Sequence, residues 1–249
     1  MPFCWASGWP WKPGSNNPFA LKPLRSWCPD WHHGGMFIAG TERWKITLDE
    51  PEALRIALYV RDVAGLQPVT VPEIPPLDPS VDIWPVWSRR PVEVQSSGGV
   101  KLLGGRGIDL DVASGQWARW WAHALLEGPS ALDDFRPPHF PAFSGVPDLR
   151  ALMQRHYYNA NLWSDGLKDD PRIKSAHSAP GSGLTALVRE LPSLLGRRPQ
   201  SFAIRVTVIG VQTKRAWILA PNHLLLTRHL IADLDNALDW LRPRILAVC

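Results

Sequence analysis

Two aspartates carry the spacing that is most suggestive of chemistry. Asp109 and Asp111 alternate with the apolar residues Ile108, Leu110 and Val112. Such alternation is typical of a β-strand, so we expect both carboxylates on one side of a strand, about 6 to 7 Å apart. Carboxylates at this spacing hold Mg²⁺ or Mn²⁺ in hydrolases and nucleases. The pattern equally fits an amphipathic strand whose aspartates face water, which is the simpler interpretation.

His156 is the residue that the sequence offers as a general base beside such carboxylates. It falls on the apolar face of a predicted helix that begins at Pro147, next to Tyr157 and close to Asn159 and Asn161. An imidazole held in a pocket accepts a proton near neutral pH. A histidine on an apolar helix face is more often a core residue with one nitrogen satisfied, and both interpretations stay open.

A group of soft and borderline ligands lies near the start of the chain. Cys28, His32 and His33 together with Cys4 supply the four ligands that a structural zinc site needs. Such sites normally bring their ligands in close pairs, however, and Cys4 has no near partner. We therefore predict no metal and no cofactor, with zinc at Cys28, His32 and His33 as the open alternative.

Two further motifs fall short of known catalytic patterns. Gly104, Gly105 and Gly107 lack the spacing of a phosphate-binding loop and are followed by a predicted strand. Ser182 lies between glycines, but no strand precedes it, so the strand–turn–helix context of a nucleophile elbow is missing. Neither motif predicts an enzyme.

The amino-acid composition limits the classes of protein to which the chain can belong. The chain has 249 residues, 45% of them hydrophobic, which is enough for a large core. Because no run reaches about 18 apolar residues, we expect no membrane segment. Three scattered cysteines favour a reducing cytoplasm over a disulfide framework. The net charge of +4 permits nucleic acid as a partner without indicating it, and the excess of Arg over Lys is typical of a GC-rich bacterial genome.

The tryptophans divide the chain into two parts. Five of the fourteen fall within residues 1–35, a segment rich in Pro and Gly with neither strand nor helix periodicity. This segment is either an arm that wraps a partner or translated upstream sequence that does not belong to the natural protein. Residues 36–249 are predicted to form a single α+β domain with a proline-rich crossing at 68–91.

The predicted domain combines mostly antiparallel strands with amphipathic helices. Strands are expected from Met36, around Trp44 to Leu48, and in a meander over 92–112. Asp49 and Glu52 have capping-box spacing for a first helix. The next helix is capped by Ser114 and buries Trp and Leu side chains, and a short helix covers residues 184–191. These helices are the elements that must position any site.

The last fifty residues form the best-defined predicted unit. Residues 202–208 and 216–219 alternate apolar and polar positions around a polar reversal, which predicts a β-hairpin. A long helix follows with Leu230, Leu234, Leu238 and Leu241 on one face, and Pro243 is expected to kink or end it.

Taken together, these patterns predict a non-catalytic interaction or assembly subunit of a bacterial multiprotein system. Trp84 and Trp87, in the proline-rich crossing, are the expected contacts for a protein partner. The alternative is a metal-dependent hydrolase or nuclease that uses Asp109 and Asp111, with His156 as its base. The sequence does not decide whether the protein is an enzyme.

Overall fold

Five β-strands form one sheet in the computed structural model, which describes residues 36–38, 44–81 and 107–249. The strands are β1 (Met36–Ile38), β2 (Trp44–Asp49), β3 (Phe202–Ile209), β4 (Ala216–Ala220) and β5 (His223–Thr227). Their spatial order is β1-β2-β3-β5-β4. The predicted strands at Met36 and at Trp44 to Leu48 are confirmed.

The sheet corrects the predicted strand directions. β2, β3 and β5 are parallel, and only the outer pairs β1-β2 and β5-β4 are antiparallel. The mixed α and β composition is confirmed, but the prediction of mostly antiparallel strands is wrong. Parallel strands covered on both faces are continuously apolar rather than alternating, and all five residues of β5 are buried. For that reason Leu224, Leu225 and Leu226 lack the alternation that identifies a strand, and no strand is predicted there.

The predicted C-terminal hairpin is also wrong. β3 and β4 are not neighbours, because β5 lies between them and pairs with both. The tight reversal lies instead at Pro221 and Asn222, between β4 and β5. Burial explains this order, since β5 is fully covered only in an inner position of the sheet.

Helices cover both faces of the sheet. They are α1 (Glu52–Val63), α2 (Leu110–Glu127), α3 (Pro147–Asp169), α4 (Pro171–Leu195), α5 (Arg228–Ala232) and α6 (Leu234–Val248). One hydrophobic core joins α1, α2 and α3 to Ile209 and Leu225 of the sheet. A second core joins α4, α5 and α6 to Ile46, Ile204 and Leu224. The protein therefore has three layers, with the sheet in the middle.

Several helix boundaries differ from the prediction. α1 has no capping box, because Asp49 still belongs to β2 and Pro51 occupies the cap position. α4 is much longer than residues 184–191 and continues through Gly183. A Cβ at Gly183 would lie 3.0 to 3.1 Å from side-chain carbons of Leu238 and Leu234, so glycine allows α6 to approach closely. Close packing thus offsets the low helix propensity of glycine.

The predicted long C-terminal helix consists of two helices. The helical backbone is interrupted at Asp233, between α5 and α6. The carboxylate of Asp233 accepts a hydrogen bond from the backbone N–H of Asn236 at the start of α6. Pro243 lies inside α6 and does not end it, since the helix continues to Val248. Within the predicted crossing, residues 68–80 contain no helix or strand apart from a bridge between Leu77 and Val211.

The tryptophans of α2 are core residues, as predicted. Trp117, Trp120 and Trp121 are almost completely buried, and the rings of Trp117 and Trp121 stack with centroids 5.1 Å apart. Trp117 Nε1 donates a hydrogen bond to the carbonyl of Ala57 in α1 at 2.9 Å. The indole ring of Trp117 therefore adds apolar area to the core, and its N–H pairs with a buried carbonyl group.

We expect Trp117→Ala to lower the free energy of unfolding by roughly 3 to 5 kcal/mol, because it leaves a large cavity between α1 and α2. Arg119→Ala is the matched control on the exposed side of the same helix and should change stability by less than about 0.5 kcal/mol. Urea denaturation of both variants measures the difference. Equal losses would contradict the central position of Trp117.

Candidate functional site

Asp109 and Asp111 lie at the beginning of a helix and not on a strand. The strand predicted over 108–112 is wrong, since α2 begins at Leu110. Asp109 Oδ1 accepts hydrogen bonds from the backbone N–H groups of Asp111 and Val112 at 3.0 and 3.1 Å. This carboxylate accepts hydrogen bonds from N–H groups that have no partner within the helix. The negative charges of Asp109 and Asp111 are also stabilised by the positive end of the helix dipole. Leu110 and Val112 are about half exposed, at 46% and 47%.

Ser114 does not cap α2, because it lies within the second turn. Its hydroxyl donates to the carbonyl of Leu110 at 2.7 Å and accepts from the backbone N–H of Gln67 at 3.0 Å. The predicted cap is therefore replaced by Asp109, and Ser114 joins the helix to the chain that follows α1.

His156 is not brought to the two aspartates by any contact in the described residues. The backbone N–H of Asp109 donates to Asp148 Oδ1 of α3 at 3.1 Å. His156 follows Asp148 by eight residues on the same helix, a rise of about 12 Å. Burial and then Arg155 lower its pKa, which keeps the imidazole neutral near pH 7. Its role as a base stays a prediction.

The remaining predicted site residues lie outside the described residues. These are Trp84 and Trp87, expected to contact a partner, and the possible zinc ligands Cys4, Cys28, His32 and His33. Over 36–38, 44–81 and 107–249, no group of three or more His, Cys, Asp or Glu residues is arranged to hold a metal ion.

A group of polar side chains that was not predicted from the sequence lies on the sheet face that is directed toward α1 and α2. We call it the polar sheet patch, and it consists of Thr47, Asp49, Arg205, Thr207 and His223. In the strand register Thr47 lies opposite Arg205, and Arg205 lies opposite His223. Asp49 lies opposite Thr207. Because side chains alternate along a strand, all five residues share one face.

Arg205 joins this patch to the end of α2. Its Nη1 donates to the carbonyl of Leu126 at 2.7 Å. A cation near the carboxyl end of a helix satisfies a free carbonyl and is favoured by the helix dipole. Gly128 follows with φ of 62°, and a Cβ there would lie 3.3 Å from Arg205 Nη1, so a small residue is needed at this turn.

Burial governs the protonation of the patch. It raises the pKa of Asp49, an effect that Arg55 and Arg205 partly oppose. It lowers the pKa of His223 to about 4, with Arg205 acting in the same direction. His223 is therefore neutral at pH 7, and its Nε2 lies 2.9 Å from Thr207 Oγ1.

The Thr207 and His223 pair resembles a nucleophile beside its base, but its location argues against that use. A hydroxyl next to a neutral imidazole is the arrangement that activates nucleophiles. Thr207 is only 1% exposed, however, so a substrate has no access to the hydroxyl in this conformation. The contact satisfies polar groups inside the protein and links β3 to β5. The sequence alone does not reveal this contact, because Thr207 and His223 become neighbours only through the register of β3 and β5.

An ion pair closes the carboxyl edge of the parallel strands. Glu50 follows β2, Gly210 follows β3 and Arg228 follows β5. Arg228 Nη2 lies 2.5 Å from Glu50 Oε1, and its Nη1 donates to the carbonyl of Asp78 at 2.8 Å. A Cβ at Gly210 would overlap the guanidinium of Arg228, so a larger residue here would require the guanidinium to move from this position.

Residues 74–78, which we call the strap, cross this edge. Arg61 donates to the carbonyls of Ile74 and Pro75 at 2.8 and 2.7 Å, and Asp62 Oδ2 accepts from the N–H of Leu77 at 2.7 Å. Backbone hydrogen bonds add Asp78 N to Gly210 O and Gln212 N to Pro76 O. Open α/β sheets usually bind ligands at this edge. Here the chain itself occupies the position.

Residues 67–73, the valine loop, connect α1 to the strap. Val69 is 92% exposed and Val71 is 82% exposed, the largest values among the exposed large hydrophobic residues of the described chain. Both ends of the loop are fixed, by the Gln67 bond to Ser114 and by the Arg61 bond to Ile74. An apolar surface is thus presented on an anchored segment.

An open depression of about 380 Å³ lies at the opposite, amino edge of the sheet. Trp44 and residues 198–201 line it. None of the polar sheet patch residues contributes to its wall, so the depression and the patch are separate features.

Comparisons with family models, with curated proteins and with solved structures found no match to this chain. Within the described residues, no helix has both the length and the apolar character to cross a membrane.

Replacing Asp109 separates helix capping from metal binding. Asp109→Ala should lower the free energy of unfolding by about 1 kcal/mol, whereas Asp109→Asn should have a much smaller effect because asparagine also caps helices. Thermal melts with and without Mg²⁺ provide the control. A Mg²⁺-dependent stabilisation of the wild type that both variants lose would contradict the capping role and support the metal site.

His223 should make stability depend on pH. The pKa of His223 is about 4 in the folded protein and 6.5 for a solvated histidine, as in the unfolded chain. The unfolded chain therefore binds a proton at His223 more readily than the folded protein does. Neutral His223 therefore makes its full contribution to the stability of the folded protein above about pH 6.5. As the pH falls toward 4, the free energy of unfolding decreases by up to roughly 3 kcal/mol. Asp49, whose pKa is raised, acts in the opposite direction.

His223→Gln is the matched control for this pH dependence. The difference in unfolding free energy between the wild type and this variant should decrease from pH 7 to pH 4, because Asp49 is present in both proteins. Urea titrations at several pH values measure that difference. A constant difference would contradict a neutral buried His223.

Proposed function

We propose that this protein is a non-catalytic interaction subunit of a bacterial multiprotein system and that it binds a protein partner through the valine loop. The exposure of Val69 and Val71 is the observation that supports this most directly. Exposed apolar groups clustered on one segment are typical of contact surfaces.

The restricted backbone of the valine loop favours binding. Pro68 and Pro72 restrict its backbone, and the hydrogen bonds at Gln67 and Ile74 fix its ends. A segment that is already ordered loses little conformational entropy when a partner covers it. The exposed valines therefore contribute their apolar area to binding with a small ordering penalty.

The chemistry of the surrounding residues favours a protein over a nucleic acid. Residues 66–81 contain no Lys or Arg, whereas Glu73 and Asp78 are acidic. A phosphate backbone is bound mainly by cationic side chains, which this segment lacks. We extend the contact surface to Trp84 and Trp87, which follow in sequence, and place the protein in the cytoplasm because its cysteines are few and scattered.

The strap supports binding over catalysis at the carboxyl edge. Ligands of open α/β sheets approach this edge, and here residues 74–78 and the Glu50 to Arg228 pair fill it. The alternative of a hydrolase that uses Asp109 and Asp111 has weaker support, because the Asp109 carboxylate is engaged by two backbone N–H groups.

The test compares partner binding by two surface variants. The native partner is identified by mass spectrometry after photocrosslinking from position 69 in the host cell. Val69→Ser with Val71→Ser should then weaken binding of that purified partner at least about tenfold, because two apolar contacts are lost. The melting temperature should not change, since both side chains face solvent.

Leu194→Ser is the matched control, because Leu194 is 46% exposed on α4, on the other side of the sheet. It should leave the affinity unchanged. Full affinity in the double valine variant would refute the valine loop as the contact surface. Turnover of a substrate that Asp109→Asn abolishes would instead support the hydrolase.

A further inference from the structure

The exposed apolar surface of the valine loop continues onto the first turn of α2. The backbone N–H of Gln67 donates to Ser114 Oγ at 3.0 Å, and the same hydroxyl donates to the carbonyl of Leu110 at 2.7 Å. The loop therefore runs beside the start of this helix. Leu110 is 46% exposed, and because it precedes Ser114 by one turn it lies on the side of α2 that faces the loop.

Val112 lies on the other side of the same helical turn. It is as exposed as Leu110, at 47%, but two residues along a helix correspond to a rotation of about 200°. Gln116, one turn after Val112, donates to Asp148 of α3, so Val112 lies on the α3 side of the helix. The loop–helix surface, as we call it, consists of Val69, Val71 and Leu110.

The two segments that form the loop–helix surface are acidic. Residues 66–81 and 107–118 contain four carboxylates and no Lys or Arg, so their formal charge is −4, whereas the whole chain carries +4. The carboxylates are Glu73, Asp78, Asp109 and Asp111. The local charge is thus opposite in sign to that of the protein. Complementary potentials favour a cationic partner here, and a second copy of the same surface would be repelled.

Neighbouring cations are directed elsewhere. Arg61, near the end of α1, is buried and is held by Asp62 and by the strap. Arg119 follows Asp111 by two turns of α2 and is rotated by about 140° from Ser114. Glu73 and Asp111 are exposed, and no ion pair among the described residues includes either of them. Both charges are therefore available to a partner.

We infer that the protein partner of the proposed function, on which this step rests, presents a cationic amphipathic segment to the loop–helix surface. Apolar side chains of that segment cover Val69, Val71 and Leu110, and its Lys or Arg residues pair with Glu73 and Asp111. The apolar contact supplies most of the affinity. The opposite charges select the partner and accelerate its association.

Two model peptides of about 18 residues, or five helical turns, test the charge requirement. One is an amphipathic helix of Leu and Lys, and the other has Glu at every Lys position. Fluorescence anisotropy of each labelled peptide measures its binding to the full chain. At low salt the lysine peptide should bind at least about tenfold more tightly, and added salt should reduce the difference. Equal binding of the two peptides, or no binding of the lysine peptide, would overturn the inference.

Neutralising two carboxylates locates the binding of the lysine peptide. Glu73→Gln with Asp111→Asn should weaken it at least about fivefold, because two attractive charges are lost. Asp235→Asn with Asp239→Asn is the matched control, since it removes the same charge from exposed positions of α6, on the other sheet face. This control should bind like the wild type. Equal affinities of the two double variants would contradict a contact at the loop–helix surface.

A second pair of variants tests the apolar part of the surface. Leu110→Ser should weaken the lysine peptide at least about threefold, whereas Val112→Ser should not, although the two side chains are equally exposed. Circular dichroism should show both variants folded. The same loss in both variants would contradict the assignment of Leu110 to the loop–helix surface.

The photocrosslinked partner separates a cationic segment from the valine loop itself. Val69→Ser with Val71→Ser and Glu73→Gln with Asp111→Asn should both weaken that partner. A loss in the valine variant alone would overturn the cationic segment and leave the valine loop as the contact surface. Full affinity in the valine variant would instead refute the proposed function.

Discussion

The ion pair between Glu50 and Arg228 is the contact on which the arrangement of this protein most depends. It joins the ends of β2 and β5 directly, and Arg228 also holds the strap through the carbonyl of Asp78. Taking two charges out of water is unfavourable unless further hydrogen bonds compensate, and the strap supplies one of them. The pair thereby secures the far end of the strap, while the Ser114 and Arg61 bonds fix the two ends of the valine loop that precedes it.

The polar sheet patch forms a second polar network on the sheet, over the middle of β3 and the adjoining ends of β2 and β5. Arg205 reaches from β3 to the carboxyl end of α2, while Thr207 and His223 connect β3 to β5. Polar contacts of this kind are directional, so they favour one docking of the helices more strongly than apolar packing alone. The two networks thus both place the helical layer with respect to the sheet.

The sequence predicted what depends on local pattern and missed what depends on distant pairing. The tryptophan stripe of α2 and the start of α3 at Pro147 follow from helical periodicity within each segment. The alternation around Asp109 covers only five residues, too few to separate a strand from the exposed first turn of a helix. His223 and Arg205 become neighbours only through the parallel register of β3 and β5, which no local pattern contains.

The parallel pairing of β2 with β3 also sets the order in which the protein forms during synthesis. Trp44 finds its partner only at Phe202, after α1, α2 and α3 have left the ribosome. Those helices have mutual contacts that are closer in sequence and can pack first. β2 therefore waits with an open edge until the last fifth of the chain arrives, and a nascent chain halted before β3 exposes that edge to aggregation.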